Sequence, residues 1–233
     1  MAWSQHLGSD SSRVASGVVT EILDVSEFNG PVDFVRVKAA GIAAVYIRAL
    51  VGLGTVDRLL YEHARGARDA EMPFGVYGGD FARHGRPQDA DQQADQLADL
   101  SEAVCAPLVA MVDIEPEGVA LVTGAEWSAS VDAYVTRLES RQGRAPLAYT
   151  GPVFWSAYPE LRSSAAAARC PLWLASYTDG MPAAPEPWTR LLLWQCQGGG
   201  PTLPARFRGR CDGVTGDVDR SKLFGDLSEL ALA

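Results

Sequence analysis

Short apolar runs alternate with longer segments of helical character through the first two thirds of the chain. The apolar runs predict buried β-strands, and they are EILDVS, AAVYIRAL, FGVYGG, LVAMVDIE and PLAYTG. The helical segments are VDFVRVKAAG, VDRLLYEHARGARDAE, PQDADQQADQLADLSEAV and AEWSASVDAYVTRLES. Two of them end at expected helix breakers, a glycine after KAA and a proline after ARDAEM. Strands joined by helices predict a parallel sheet with a covered outer face.

The last third of the chain has a different pattern. Its apolar runs PLWLASY, RLLLWQC and GVTGDVD still predict strands, but the connectors between them are too rich in proline and glycine for helices. One further short helix is expected within residues 152 to 169. Eight strands and about five helices predict an α/β fold, an irregular TIM-like barrel whose late helices are missing. An open doubly wound sheet is the alternative, although no glycine-rich phosphate-binding sequence follows the first strand.

Length and composition indicate one substantial globular domain. The chain has 233 residues, of which 47% are hydrophobic and 21% charged, so it can bury a sizeable core. We divide it into a polar N-terminal tail, residues 1–19, and a barrel domain, residues 20–233. The tail lacks the apolar centre of a secretory signal, and no run approaches the roughly 20 apolar residues of a membrane span. We therefore expect no membrane insertion, and we expect a monomer.

Charge and cysteine content limit the possible ligands. The net charge of -9 argues against nucleic acid and against an anionic membrane surface. Four cysteines are too few for a disulfide scaffold, and their spacing fits no zinc site, so no metal or cofactor is predicted. Cys105 and Cys170 are predicted to be ordinary buried thiols. Cys196 and Cys211 flank a loop rich in glycine and proline and are candidates for a pair.

Two acids end the apolar run PLVAMVDIEPEG, residues 107 to 118. Buried charge is costly unless it is paired, so Asp113 and Glu115 at the tip of a strand indicate a functional site. The simpler interpretation is that Asp113 caps a turn. Residues two apart on a strand face the same side, with Cα atoms roughly 6.5 to 7 Å apart. Both acids are therefore predicted to face the mouth of the barrel, where such folds hold their chemistry.

Further acids lie at the ends of the first and eighth predicted strands. Asp24 ends the first strand, and Asp217 and Asp219 lie within the eighth. The first and last strands of a closed barrel are neighbours, so these side chains should lie close together. Acids from the opening, middle and closing strands are therefore predicted to surround one cleft.

Aromatic residues lie near the ends of several strands. Each by itself is more often a core or rim residue than a ligand contact, but together they suit a carbohydrate, whose C–H faces pack on aromatic rings. Paired carboxylates are also the usual machinery of glycoside cleavage, and crowding of carboxylates keeps a proton available. Glu115 is the predicted proton donor. The predicted sugar contacts are Tyr77, Tyr149, Trp173, Tyr177 and Trp194.

The order of these motifs resembles the glycoside hydrolase family 25 muramidases, the Chalaropsis-type lysozymes. The resemblance covers residues 22 to about 230 and rests on ILDVSEFNGPVDFVRVKAAGIAAVYIRA, GARDAEMPFGVY, VDIE, PLAYTGPVFW, PLWLASYT, LLLWQC and VDRSKLFGDLSEL. It implies an irregular barrel of eight strands and about five helices. It also implies cleavage of the β-1,4 bond between N-acetylmuramic acid and N-acetylglucosamine in peptidoglycan, whose glycan strands would be the partner.

The resemblance assigns roles to individual acids. Glu115 corresponds to the general acid, and Asp113 to the aspartate that orients or stabilises the acetamido group of the substrate. Asp24 corresponds to the family's D-V-S aspartate. Asp219 corresponds to the acid of the closing V-D motif, with Asp217 as the alternative if the register is shifted by two. Participation by the substrate's own acetamido group implies that no enzyme carboxylate attacks the sugar.

Two departures from the family pattern alter the floor of the predicted cleft. The family often has K-A-T-E-G after the second strand, where this chain has RALVG, residues 48–52. The glutamate is lost, and Arg48, a predicted substrate contact, replaces the lysine. The Y-H-F/Y motif after the third strand becomes VYGGDF, with glycine at the histidine position. The D-x-E pair is intact, which favours an active enzyme.

Two other classes of function remain open from the sequence. A non-catalytic wall-binding barrel would explain the altered strand ends, and a phage or particle structural component would explain the N-terminal tail. A muramidase without a signal peptide would reach the cell wall by phage or particle delivery, or after lysis. A turbidity assay on peptidoglycan with reducing-end analysis distinguishes the muramidase from both alternatives.

Overall fold

The computed structural model describes residues 19–79, 87–115, 123–200 and 202–232. Within these ranges, nine strands form one sheet. They are β1 (Thr20–Val25), β2 (Ile42–Val51), β3 (Thr55–Val56), β4 (Phe74–Gly79), β5 (Met111–Asp113), β6 (Leu147–Thr150), β7 (Leu172–Ala175), β8 (Leu193–Gln197) and β9 (Asp219–Leu223). The predicted tail falls almost wholly outside the described residues, which begin one residue before β1.

Six α-helices lie between the strands in the described ranges. They are α1 (Phe34–Ala39), α2 (Leu60–Asp69), α3 (Pro87–Ala103), α4 (Gly124–Gln142), α5 (Pro152–Ala157) and α6 (Ala165–Arg169). All six precede β7, and the only helical segments in the described residues after it are short 3-10 turns, as the proline- and glycine-rich connectors predicted. The single helix expected over residues 152 to 169 is instead two helices separated by a 3-10 turn, Pro159–Ser163. No helix in the described ranges is long and apolar enough to cross a bilayer.

The sheet closes into the predicted eight-stranded barrel. Its order is β1-β9-β8-β7-β6-β5-β4-β2, with β2 paired back to β1, while β3 is a short hairpin arm on β2. Within the barrel, neighbouring strands are parallel except for β9, which runs antiparallel to both β1 and β8.

The eighth barrel strand corrects two expectations. The sequence predicted a parallel strand over residues 213–219, but the strand is Asp219–Leu223 and antiparallel. The chain turns at Gly216, whose φ of 86° lies in the left-handed region, so the preceding segment is not extended. Asp219 is therefore the first residue of β9 and lies at the barrel mouth, while Asp217 lies outside the strand.

Alternate residues along each strand face two different cores. Leu23 and Val25 of β1 point outward into the apolar layer under the helices. Ile22 points inward, where it joins a second cluster that fills the barrel. The inner cluster includes Ile22, Ala44, Tyr46, Val109, Met111, Leu147, Trp173 and Leu193. This two-residue period places the next inward position of each strand at the barrel mouth.

The cysteines differ from expectation at three positions. Cys196 and Cys211 are both free thiols, so the candidate disulfide is wrong. Their sulfurs contact different backbone carbonyls, those of Arg220 and Asp212. Cys105 is exposed, because it follows the last turn of α3 with a φ of 52° that directs it away from the core. Cys170 is buried, as predicted.

Candidate active site

Asp24 and Asp219 form a carboxyl pair across the barrel seam. They are direct partners in the antiparallel ladder between β1 and β9. Both side chains are largely enclosed, and their carboxyl groups hydrogen-bond to each other. Burial, followed by the charge of Asp219, raises the pKa of Asp24 well above its ordinary value. The pKa of Asp219 is also raised by burial, although the backbone N–H of Gly199 donates to its Oδ1 at 2.6 Å. The pair therefore holds a proton more readily than isolated carboxylates do.

Gln195 of β8 connects this pair to two tyrosines. Its Oε1 accepts hydrogen bonds from the hydroxyls of Tyr149, at 3.0 Å, and Tyr177, at 2.7 Å. Two hydroxyl donors on one oxygen identify the other end of the amide as the NH2 group. That Nε2 donates to Oδ2 of Asp24 at 3.0 Å. The amide is buried, so its orientation is set entirely by these three partners.

Asp113 and Glu115 lie at the end of β5, on the other side of the barrel. The intervening Ile114 is fully buried, and its N–H and C=O bond to Tyr149 O and Thr150 Oγ1 at 2.8 and 3.0 Å. These bonds hold Glu115 in place although the strand itself ends at Asp113. The two acids line one small pocket, as the two-residue spacing predicted. The other residues of that pocket are Arg48, Leu50, Val51, Tyr77 and Gly79.

Glycines leave room for the two acids. A Cβ on Gly79 would approach the carbonyl oxygen of Asp113 to 2.3 Å, and a Cβ on Gly151 would lie 2.9 Å from Oε1 of Glu115. At Gly78, the position of the family histidine, a Cβ would come within 2.9 Å of Cβ of Leu50. Leu50 itself lies just after a register shift in the pairing of β2 with β4. The two departures from the family pattern, RALVG and VYGG, therefore pack against each other.

All four predicted catalytic acids lie close enough to one group of tyrosines to raise the pKa values of their hydroxyls. Burial raises the pKa of Tyr77, and the charges of Asp24, Asp219 and Asp113 raise it further. Burial also raises the pKa of Tyr149, with Glu115 as the largest charged contribution. The charge of Asp113 reaches Asp24 as well and raises its pKa. Acids from β1, β5 and β9 therefore surround one cleft at the carboxyl ends of the parallel strands.

Arg48 is the cation of this cleft, and two further acids hold it. Its Nε donates to Oδ2 of Asp57 at 2.8 Å, and one terminal nitrogen lies 3.3 Å from Oε1 of Glu27. Asp57 is buried, and its carboxylate also accepts from the backbone N–H groups of Glu27 and Leu59. The guanidinium is therefore fixed in one position at the edge of the pocket.

The five predicted aromatic contacts separate into two groups. Tyr77, Tyr149 and Tyr177 belong to the cleft. Trp173 is 0% exposed inside the barrel, where its Nε1 donates to Ser221 Oγ at 2.9 Å, so it cannot touch a substrate. Trp194 points to the outer face of β8, where its indole donates to Ser176 O at 2.6 Å. Strand alternation places Trp194 on the face opposite Gln195, so direct sugar contact is wrong for both tryptophans.

Asp217 takes no part in the carboxyl pair. Its Oδ1 lies 2.8 Å from a terminal nitrogen of Arg210, and its backbone carbonyl accepts from Asn29. Asp219, two residues later, is the ladder partner of Asp24. The geometry therefore favours Asp219 over the alternative Asp217 at the site.

Three residues of the cleft and its rim were missed from the sequence. Gln195 stands in the apolar run RLLLWQC, where a buried amide gives no charge signal. Asp57 follows an unpredicted two-residue strand, and its partners are 9 and 30 residues away. Phe28 is an exposed ring at the rim, and a lone aromatic residue in SEFNG carries no pattern. Its place in the D-V-S motif region was the one available signal.

The residues present offer acid–base chemistry rather than a metal centre. Within the described ranges, no group of three His, Cys, Asp or Glu side chains is arranged to hold a metal ion. What the cleft does offer is several carboxyl groups and phenolic hydroxyls around a small pocket. Those groups can protonate a leaving oxygen and stabilise a developing positive charge.

A barrel with carboxylates converging at its mouth is the arrangement of a glycoside hydrolase. The chain belongs to the glycosyl hydrolases family 25, whose family model matches residues 23–202. The matched range contains Asp24, Asp113, Glu115 and Gln195, and it ends before Asp219.

Two relatives agree with this family, and a solved structure shares the fold. The chain is 26% identical over 215 residues to lysozyme M1 of Streptomyces globisporus, covering 89% of this chain and 69% of that protein. It is 28% identical over 182 residues to the N,O-diacetylmuramidase of Chalaropsis sp, covering 74% and 85%. The crystal structure of a lysozyme from Streptomyces coelicolor superposes with a TM-score of 0.76 at 24% identity, covering 92% of this chain and 96% of that one.

Proposed function

We propose that this glycoside hydrolase cleaves the β-1,4 bond between N-acetylmuramic acid and N-acetylglucosamine in peptidoglycan, with Glu115 as general acid. Muramidase activity on the cell wall follows from membership of family 25 and from the lysozyme and N,O-diacetylmuramidase among its relatives. The observation that carries the assignment to this cleft is the convergence of Asp24, Asp113, Glu115 and Asp219 on one group of tyrosines.

Glu115 is the best-placed proton donor. Its side chain is half-buried and lies next to Gly151, where the lack of a side chain keeps one oxygen accessible from the cleft. The residue before it, Ile114, is held by hydrogen bonds to Tyr149 and Thr150, so the backbone leading into Glu115 has a fixed position. A general acid must sit within hydrogen-bond reach of the leaving oxygen, and this location at the pocket wall permits that.

The other acids stabilise charge rather than transfer the first proton. Asp113 shares the pocket with Glu115 and can accept a hydrogen bond from the acetamido N–H of the substrate, which turns the acetamido oxygen toward the anomeric carbon. The Asp24–Asp219 pair joins β1 to β9 on another side of the cleft, near Tyr177. One negative charge shared by this pair favours the cationic sugar of the transition state.

Substrate and delivery follow from the same assignment. Peptidoglycan glycan strands would be the binding partner, and the enzyme would work as a monomer. Among the fold neighbours is the catalytic domain of the endolysin ply40 from a Listeria bacteriophage, at 24% identity and a TM-score of 0.71. Phage or particle delivery to the wall stays a prediction.

The decisive experiment compares the wild type with Glu115→Gln on purified peptidoglycan. We expect the variant to lose at least about 1,000-fold in the release of muramic-acid reducing ends, because the amide cannot give up a proton. Its thermal unfolding should be unchanged. Glu139→Gln is the matched control, since Glu139 pairs with Arg169 on the outer surface and should not affect turnover. Wild-type turnover by Glu115→Gln would remove Glu115 as the acid, and absence of wild-type turnover would favour a binding-only barrel.

A further inference from the structure

We propose that Phe28, supported by Arg48, is a stacking platform that binds a second sugar ring of the glycan next to the catalytic pocket. This inference rests on the muramidase function proposed above and adds a binding site to it. The ligand class is a β-1,4-linked N-acetylated hexosamine unit, bound through the apolar C–H face of its ring. The catalytic acids then act on the bond that lies beside this unit.

Phe28 lies at the barrel mouth. It belongs to the 3-10 turn Glu27–Asn29, which follows β1, and lies four residues after Asp24. The parallel strands end on this side, and the acids lie there too. Phe28 is 83% exposed, the second highest value among the large hydrophobic side chains of the described residues. An aromatic ring so exposed contributes little to the folded core, which leaves its surface available for a ligand.

The turn that carries Phe28 is held rigidly. Asn29 caps it by accepting from the N–H of Ser26 at 2.8 Å, and its Nδ2 donates to the carbonyl of Asp217 at 3.2 Å. The N–H of Glu27 donates to the buried carboxylate of Asp57 at 3.0 Å. The backbone on both sides of the ring is therefore tied to two other segments of the barrel. A rigid aromatic residue loses little conformational entropy when it binds.

Arg48 connects the ring to the catalytic pocket. The centre of its guanidinium lies 4.7 Å from the centroid of the Phe28 ring, so the cation covers one ring face. The same side chain lines the pocket that contains Asp113 and Glu115. The platform is thus one side chain away from the acids. A cation behind the ring also fixes its tilt and leaves the other face for a ligand.

The surroundings of the ring suit a sugar. Glu27, next to Phe28, is about a third exposed and binds the guanidinium of Arg58, which is 73% exposed, at 2.8 Å. This ion pair offers both an acceptor and donors beside an apolar surface. Hydroxyl and acetamido groups of an amino sugar need such partners, while its C–H face needs the ring. This combination of an aromatic plane with polar groups at its edge favours a carbohydrate over a purely apolar ligand.

The experiment measures binding separately from turnover. We use soluble peptidoglycan glycan strands freed of stem peptides as the probe, and we measure Kd by calorimetry for Glu115→Gln and for Glu115→Gln with Phe28→Ala. The second protein should bind about two- to tenfold more weakly, the range of one aromatic contact. In the otherwise wild-type enzyme, Phe28→Ala should raise KM on the same strands by a similar factor. Phe28→Tyr should restore both values, because it keeps the flat ring.

Two controls make the test specific. Phe224→Ala changes another exposed phenylalanine, 38% exposed, which follows β9 at the opposite end of the barrel, and it should leave Kd and KM unchanged. Phe28→Leu keeps apolar area without a ring face and should bind as weakly as Phe28→Ala. Unchanged Kd in Phe28→Ala, or full affinity in Phe28→Leu, would overturn the platform. Failure of the muramidase proposal shows differently, as absent turnover in the wild type, and the binding comparison still applies.

Discussion

The interior of the barrel contains two layers with opposite chemistry, built from the same strands. On five strands, a residue of the lower, apolar layer is followed two positions later by a polar residue of the upper layer at the mouth. The pairs are Ile22 with Asp24, Tyr46 with Arg48, Met111 with Asp113, Leu147 with Tyr149, and Leu193 with Gln195. One step of the strand period thus separates a packed core from a charged cleft.

The two layers satisfy their polar groups differently. The lower layer has few polar atoms, and they are paired within it, as in the bond from Tyr46 Oη to Val109 O at 3.1 Å. The upper layer holds carboxyls whose burial raises the pKa of Asp24 and of Asp219. Desolvation of those acids costs stability, and the apolar layer below offsets the cost. The lower layer therefore serves mainly stability, and the upper layer mainly function.

The largest expected effect comes from opening the lower layer. Trp173→Ala removes a fully buried indole and its bond to Ser221, and should lower the free energy of unfolding by about 3–5 kcal/mol. Chemical denaturation measures this change. Activity should fall only as far as the folded fraction falls. A folded variant with altered KM would show that the lower layer reaches the substrate after all.

A smaller effect is expected from removing the amide that joins the upper-layer groups. Gln195→Leu leaves the hydroxyls of Tyr149 and Tyr177 without their acceptor, which should lower the free energy of unfolding by about 1–3 kcal/mol. The same variant removes the donor to Asp24, so the pKa of Asp24 should rise further and the pH–activity profile should shift. Gln197→Leu, at the end of the same strand, is the control. An unshifted pH profile in Gln195→Leu would reduce its role to packing.

The smallest effect should have the opposite sign. The pKa of Asp24 is raised in the folded state, so the wild-type protein loses stability as pH rises from about 4 toward that raised pKa. Asp24→Asn has no carboxyl at this position and should not show that loss. Below this window the wild-type carboxyl is protonated in both states and costs nothing extra. At pH 7 the Tm of the variant should therefore exceed that of the wild type, by about 2–4 °C for each kcal/mol of unfolding free energy gained. At pH 4 the difference in Tm should be smaller.

Activity should move against stability in this variant. Asp24→Asn breaks up the carboxyl pair that shares a negative charge next to the proposed cationic transition state, and should reduce turnover at least about tenfold. Calorimetry at pH 4 and pH 7, together with reducing-end release, measures both quantities. Asp217→Asn is the matched control, because Asp217 pairs with Arg210 away from the acid pair. Equal Tm gains at both pH values would contradict a raised pKa at Asp24.

Much of the fold could be predicted from local pattern. Apolar runs and helix breakers located the first seven barrel strands and the long helices α3 and α4, because a buried strand or helix needs a matching period in sequence. The eighth strand was misplaced, since GVTGDVD resembles a strand while its glycines form a turn. The direction of β9 depends on the connection that leads into it, which has no periodic signal.

The site was predicted only in part for the same reason. The two-residue period of a strand is a local property, so the sequence could predict that Asp113 and Glu115 point to the same side. Whether a side chain points into the barrel or away from it, and how deep it lies, depends on how the strands pair, which the local sequence does not show. Trp173 and Trp194 both lie in apolar runs, yet one fills the barrel and the other covers its outer face.

The sequence by itself determined the alternation of faces, the acids at the strand ends and the family to which the chain belongs. Only the tertiary structure decided that Gln195 joins Asp24 to two tyrosines, that Asp219 rather than Asp217 faces Asp24, and that Cys196 and Cys211 stay apart. The physical reason is distance along the chain. Period and propensity act over a few residues, whereas Gln195 and Asp24 are 171 residues apart and meet only when the barrel closes.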